Sequence, residues 1–336
     1  MKAHELGMKL VVGACLALSV GACGGSPGRS PSAGARAVVE PQWQDALGAR
    51  PRVLLTLRPK VLLKDPVYGP LFRWALELAR QQSHAVASTR LVEAVEQSEE
   101  VIAGVLGDEG EASRPSGPGA PSERLPGQEL PGQEPIVAVL RGMPAELDPA
   151  KLVDAEGTLL WVPGPSGPWR ELVHEVDKDG TPNPASLFEL PGRTWVIVSA
   201  AARGRVREAF SRPTGQAPPR IDADAEALAA LRIDGPALVA RTRPLSSGML
   251  RAVGHELQSV NLMLSPGGAR QVRAVLQYKD AESSAAAAQK LTQVMQALSH
   301  GNSPAIAWLT SVVVEPSKNT VVLKAPVPPE ILNLLQ

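Results

Sequence analysis

Three stretches of this chain are too rich in proline, glycine and serine, and too poor in apolar periodicity, to bury a core. They divide the chain before any other feature is weighed. Residues 24–37 are Gly, Ser, Pro and Ala with isolated arginines, the composition of a flexible tether. Residues 107–135 contain Leu-Pro-Gly-Gln-Glu twice, at 125–129 and 130–134, and read as a disordered surface loop. Residues 211–220, again proline-rich, read as a joint between two halves. The remainder is enough for two domains of ordinary size. They are expected at 51–215, with the insertion inside it, and at 216–336, with the tether occupying 23–50.

Ahead of the tether, Lys2 and Lys9 precede an apolar run from Leu10 to Val20. That is the charge and length profile of a secretory signal, and it falls short of the roughly 20 apolar residues a membrane-spanning helix needs. The run ends in Val20-Gly21-Ala22-Cys23. This stretch resembles the lipobox of bacterial lipoproteins: an aliphatic residue, two small residues and a cysteine. The resemblance implies that residues 1–22 are a signal peptide, that Cys23 becomes the first residue of the mature chain, and that its sulfur carries a diacylglyceryl group. Two or three acyl chains hold a protein firmly, at about 0.8 kcal/mol per buried methylene, where a single chain is marginal.

Val12-Gly13-Ala14-Cys15 fits the same pattern, but cleavage there would leave only Leu10 to Ala14 as the apolar region, so Cys23 is the better site. Glu5 is unusual in a signal, and Met8-Lys9-Leu10 reads as a more natural translation start. An ordinary cleaved signal with an incidental cysteine is the competing interpretation. In the lipoprotein family an aspartate after the cysteine marks retention at the inner membrane. Gly24 stands there instead, so the resemblance implies an outer-membrane protein facing the periplasm. Beyond the lipobox, the chain is similar in composition and layout to uncharacterised lipoproteins of GC-rich Gram-negative bacteria, which implies no particular activity.

With two cysteines in all, one lost with the signal and one acylated, the folded body has no thiol for a disulfide or a thiolate metal site. Losing Lys2, Lys9 and Glu5 takes 34 basic and 34 acidic residues to 32 and 33. That balance excludes a nucleic-acid footprint, which needs a clear basic excess. The one dense basic stretch, Arg203-Gly204-Arg205-Val206-Arg207, suits either contact with anionic lipid or the solvated face of a short helix, and the helix face is preferred.

The apolar pattern indicates an α+β fold in two similar units, each a mostly antiparallel sheet with helices packed on one face. In the second unit a strand is expected at 237–243, a helix at 249–257 and a hairpin at 260–264 and 272–278. Val272, Ala274, Leu276 and Tyr278 share one face of the returning strand. A helix over 280–300 follows, capped by Asp280, Ser283 or Ser284. A second hairpin at 310–315 and 320–324 and a helix at 330–335 complete the chain. The first unit is expected to repeat this plan: a strand at 52–58, a helical region at 70–95 and paired strands at 101–106 and 136–140 split by the insertion. A short helix at 148–153, strands at 159–162, 171–176 and 194–199, and a helix at 203–210 follow.

Signs of chemistry are sparse. Neither His174-Glu175 nor His255-Glu256 is followed by a second histidine at helical spacing, and serine-hydrolase elbows, phosphate loops and dinucleotide fingerprints are all missing. Glu175-Val176-Asp177-Lys178-Asp179-Gly180 spaces its acids as a calcium loop does. However, the twelfth position is Ser186 rather than glutamate, and Asp-Lys-Asp-Gly between apolar runs is what a hairpin turn requires. Trp161, Trp169 and Trp195 flank a Pro-Gly loop and form a candidate stacking surface for sugars or peptides, although tryptophans buried at strand ends are the commoner outcome.

No cofactor or metal is expected. The expected function is a non-catalytic binding or scaffolding module of the envelope, joined to membrane lipid through Cys23, with an envelope protein or glycan as partner. Two alternatives are an envelope enzyme acting on peptidoglycan or peptides, with Glu171, Glu175, Asp177 or His174 in its site, and a purely structural lipoprotein.

Overall fold

The computed structural model describes residues 41–48, 51–82, 86–107, 134–153, 157–165, 169–176, 182–212, 227–236, 238, 253–265, 271–298 and 311–327. These form an α+β protein, and the strand pairings described within each unit are all antiparallel. The chain divides into two compact units, and the division passes through a helix, between Trp74 and Ala75.

The first unit begins with α1 (Trp43–Leu47). Gln42 and Asp45 cap this helix reciprocally, with Asp45 accepting from the Gln42 N–H at 3.0 Å, and Asp45, Ala46 and Leu47 are buried. This corrects the expected extent of the tether, which cannot run to residue 50 if Leu47 is 1% exposed. The unit continues with the second part of α3 (Tyr68–Gln82), α4 (Val86–Gln97), β2 (Glu100–Leu106), β3 (Ile136–Arg141), β4 (Val162–Pro163), β5 (Arg170–Val176), β6 (Pro182–Leu190), β7 (Thr194–Ser199) and α5 (Ala200–Ser211). Its strand order is β2-β3-β7-β6-β5-β4. As expected, β2 and β3 pair across the proline-rich insertion, Val105 opposite Ile136, while residues 108–133 lie outside the described chain.

Every residue from Ile136 to Leu140 and from Thr194 to Val198 is buried. Both faces of these central strands are therefore covered, and their near-continuous apolar runs reflect it. One face receives α5 through Ala202, Val206 and Phe210, which recur at one-turn spacing. Ser199 clamps the strand ends: its hydroxyl donates to Glu134 O and accepts from Ile136 N, both at 3.0 Å.

The sequence reading missed β6. Pro182 and Pro184 obscure its start, although proline is tolerated at the beginning of a strand, and residues 185–188 are buried on both faces, which removes the alternation. The short helix expected at 148–153 is a single 3-10 turn, Pro149–Lys151, with Asp148 accepting from Ala150 N. The strand expected at 159–162 reduces to a Val153–Leu159 bridge and the two residues of β4.

The second unit contains β1 (Pro51–Leu57) from Arg52 on, α2 (Pro59–Leu62), the start of α3, β8 (Ala229–Asp234), β9 (Leu257–Leu264), β10 (Gln271–Tyr278), α6 (Ala281–Leu298), β11 (Val313–Ser317) and β12 (Thr320–Pro326). Its order is β1-β8-β9-β10-β12-β11. Because β1 pairs along its length with β8, residues 52–74 group with the C-terminal half, where the sequence placed them in the first domain.

The two hairpins of this unit and α6 match the expected elements. Asp280 is the cap, accepting from the Ser283 N–H at 2.8 Å. Its core joins Leu257, Val260, Ala274, Leu276 and Tyr278 from the sheet to Ala287 and Ala288 of α6. Strand β8 was not anticipated, and Leu257, expected at the end of a helix, opens β9. The strand at 237–243, apart from Leu238, and the helix at 330–335 fall outside the described residues. Numbered by chain order within each unit, the runs read 1-2-6-5-4-3 and 1-2-3-4-6-5, so a repeated plan extends no further than the leading strand pair.

Candidate functional site

Strand β5 (RELVHEV) carries the acids and the histidine that the sequence offers for chemistry. Side chains alternate along a strand, so Glu171 faces α5 while Leu172 and His174 face the other way. The Glu171 side chain is only 2% exposed, and Arg207 of α5 closes on it as a fork. The guanidinium donates from Nη2 to Oε1 at 2.7 Å, and from Nε to Oε2 at 2.9 Å and Oε1 at 3.2 Å.

Phe188, directly opposite Glu171 in register, stacks edge-on with Phe210 at 5.3 Å and with Trp169 at 6.4 Å. Trp169 meets Phe210 at 5.7 Å. Gly164 donates its N–H to Glu171 O at 2.8 Å, and a Cβ there would stand 3.1 Å from both that oxygen and Glu171 Cγ. The carboxylate is thus shut off from solvent while Arg207 keeps partial exposure, and at the buried end a charged hydrogen bond is strong and an unpartnered charge is costly.

This geometry makes Glu171 a clamp for α5. A general acid needs a carboxyl able to hold and release a proton toward substrate. Glu171 instead accepts three hydrogen bonds from a permanent cation.

His174 lies on the opposite face of β5 and is not brought beside Glu171. Its Nδ1 is 2.9 Å from Leu160 O, and because a carbonyl only accepts, Nδ1 carries the proton. The ring stands edge-on to Trp161 at 6.0 Å. Of the other acids proposed with it, Glu175 belongs to β5 without a described side chain, and Asp177 lies outside the described residues. Of the calcium-like segment 175–180, residues 177–180 lie outside them, as does residue 181. Val176 and Pro182 on either side are paired across β5 and β6, so strands flank these residues where an EF-hand would have helices.

The tryptophan surface is corrected by burial. Trp161 is 2% exposed and Trp195 1%, so neither presents a ring to a ligand, and Trp195 sits in β7 between Leu140 and Glu189. Only Trp169 keeps partial access to solvent, and its ring is engaged with Phe188 and Phe210.

The basic run lies on a helix as expected, and its arginines are half-buried and bonded within the unit rather than fully solvated. Arg203 donates to Ala185 O at 3.1 Å, Arg205 to Gly107 O at 2.7 Å, and Arg207 to Glu171. Three arginines at two-residue spacing fix the helix to three separate points of its own unit. Sequence reasoning did not connect Arg207 with Glu171, and no local signal could have done so, because the partners meet only through the packing of α5 on β5 and β6.

Among the described residues, no three His, Cys, Asp or Glu side chains are grouped to hold a metal, and no helix is long and apolar enough to cross a membrane. Val20, Gly21, Ala22 and Cys23 lie outside the described residues. In comparisons with protein-family models, curated proteins and solved structures, the chain matches none.

Proposed function

We propose that this chain is a lipid-anchored envelope protein: a non-catalytic binding or scaffolding module held by acylated Cys23 at the outer membrane and facing the periplasm. The observation that carries the non-catalytic part is the engagement of the described candidate groups. Glu171 is locked by Arg207, and His174 is oriented by Leu160 O against Trp161. The anchoring part rests on Val20-Gly21-Ala22-Cys23 behind a basic start and an apolar run. Tethering raises the effective concentration of a module near its partner without demanding a high-affinity site.

The test is intact mass, incorporation of labelled lipid and membrane fractionation for wild type and Cys23→Ala in a Gram-negative host. Acyl mass on a chain beginning at Cys23, lost in the variant, is the expected result. Secretion of both proteins without lipid would replace the anchor with an ordinary signal peptide.

A further inference from the structure

Of the large apolar side chains exposed among the described residues, two lie on neighbouring helices of the second unit. Val61 of α2 is 48% exposed and Trp74, in the first part of α3, is 38% exposed. Hydrogen bonds gather the residues around them into one corner. Lys64 N donates to Val61 O at 3.2 Å, so Lys64 follows Val61 by a single turn. Arg73 Nη1 donates to Leu63 O at 2.9 Å, which sets the guanidinium against the Leu63–Lys64 peptide, and Trp74 is the next residue along α3. The corner is tightly joined: a Cβ on Gly69 would stand 2.8 Å from Leu63 O, and Asp65 caps α3 by accepting from Val67 N and Tyr68 N.

The charge at this corner is positive and unmatched. Lys64 and Arg73 are both exposed and form no ion pair among the described residues. The acids nearest in sequence are engaged, Asp65 as the cap and Glu77 with Arg80 at 3.5 Å. One free cation therefore belongs to the Leu63–Lys64 peptide and the other bonds to it, with an apolar side chain one turn from the first and adjoining the second. A single exposed apolar residue needs no explanation. Cations interleaved with an exposed tryptophan match the headgroup region of a membrane, where basic side chains meet anionic lipid and the amphipathic ring settles at the boundary.

We propose that the corner formed by Val61, Lys64, Arg73 and Trp74 rests on an anionic lipid surface and sets the orientation of the tethered module. Each basic residue near such a surface gains about fivefold, so four residues cannot hold a free protein on a membrane, but they can orient one already held there. The 17 residues from Gly24 to Glu40 reach at most about 60 Å, which keeps the chain beside the lipid at high effective concentration. The two apolar side chains favour lipid over an acidic protein, whose charged surface would leave them in water. Only the proximity to lipid depends on the anchor proposed above. The preference for anionic headgroups belongs to the corner itself.

The test is quenching of tryptophan fluorescence by lipid brominated on its acyl chains, with the full chain on phosphatidylglycerol vesicles and on phosphatidylcholine vesicles. Trp74→Leu keeps an apolar side chain and removes the reporter, so the Trp74 share is the difference between the two proteins. That share is expected on phosphatidylglycerol, declining in high salt, and to be small on phosphatidylcholine. Lys64→Gln and Arg73→Gln should each lower the ratio of docked to undocked chain about fivefold. Arg73→Lys keeps the charge, so retained quenching at wild-type Tm separates lost charge from a lost fold. The Cys23→Ala chain, titrated with the same vesicles, separates this proposal from the anchor: without an anchor the two chains titrate alike, and the Trp74 share still decides the corner. No Trp74 share on phosphatidylglycerol, an equal share on phosphatidylcholine, no change in Lys64→Gln or Arg73→Gln, or binding of polyglutamate in place of vesicles would overturn the proposal.

Discussion

Glu171 is almost free of solvent contact while Arg207 keeps 36% of its side chain exposed, and that asymmetry decides what each partner's removal does. Arg207→Met leaves a carboxylate buried among Phe188, Phe210 and Trp169, and is expected to cost about 3 kcal/mol. Glu171→Met leaves an arginine that can turn to water and should cost about 1 kcal/mol. Urea unfolding of the two variants measures the difference, and equal losses would show that the Glu171 carboxylate is no more enclosed than the Arg207 guanidinium. Tyr278 makes a second residue-scale case. Burial raises its phenol from 10.0 to about 12, and its hydroxyl donates to Val253 O at 3.0 Å. The neutral form is the one the fold favours, so this contribution is complete below pH 10 and disappears as pH rises toward 12. Tyr278→Phe should lose about 1 kcal/mol at pH 7 and show a flatter decline between pH 10 and 12, read from urea midpoints at each pH. The sequence placed Tyr278 on the apolar face of its strand, but its carbonyl partner at Val253 came only with the fold.

At the scale of elements, the legible pieces were those with a strong period and clear punctuation. Helix α6 and the strands β10 and β12 each bury one face, Ala274, Leu276 and Tyr278 in β10 and Val321 and Ala325 in β12, so alternation or helical spacing survives in the residues. Helix α1 was missed because it is short, β6 because it is buried on both sides and entered through proline, and β8 because its buried residues, Ala230 and Ile233, do not alternate. Asp280, one of three caps the sequence allowed, accepts from Ser283 N, and that bond holds its carboxyl below the usual aspartate range. Its contribution is therefore present at neutral pH and is lost as pH falls through that lowered value. Asp280→Ala should lower Tm at pH 7, by an amount that shrinks as the pH is lowered, read from thermal unfolding across an acid series. Gly235 tests a close approach of backbone: a Cβ there would overlap the carbonyl of Leu257 at the start of β9. Gly235→Ala is expected to cost about 1–3 kcal/mol, measured by thermal unfolding, and an unchanged Tm would mean that β8 and β9 part more easily than their register implies.

At the scale of the molecule, the pairing of Val105 with Ile136 and the bond from Leu106 N to Pro135 O bring the ends of the proline-rich insertion together. Replacing residues 108–133 by a short Asn-Gly turn should therefore preserve the circular dichroism spectrum and raise stability slightly, since each halving of a flexible loop is worth about 0.6 kcal/mol. Loss of folding would show that the insertion supplies contacts to its unit. By itself the sequence determined the α+β class, the β2–β3 pairing across the insertion, and helix α6 with the hairpins around it, and it supplies the lipobox-like stretch on which the anchoring proposal rests. These are local: a period, a turn or a motif is complete within a few residues. Only the tertiary structure decided that β1 belongs with β8 and that the arginines of α5 are internal fasteners. Those facts depend on which strands become neighbours, and strand pairing at long separation is set by the packing of the whole sheet, which no window of sequence contains.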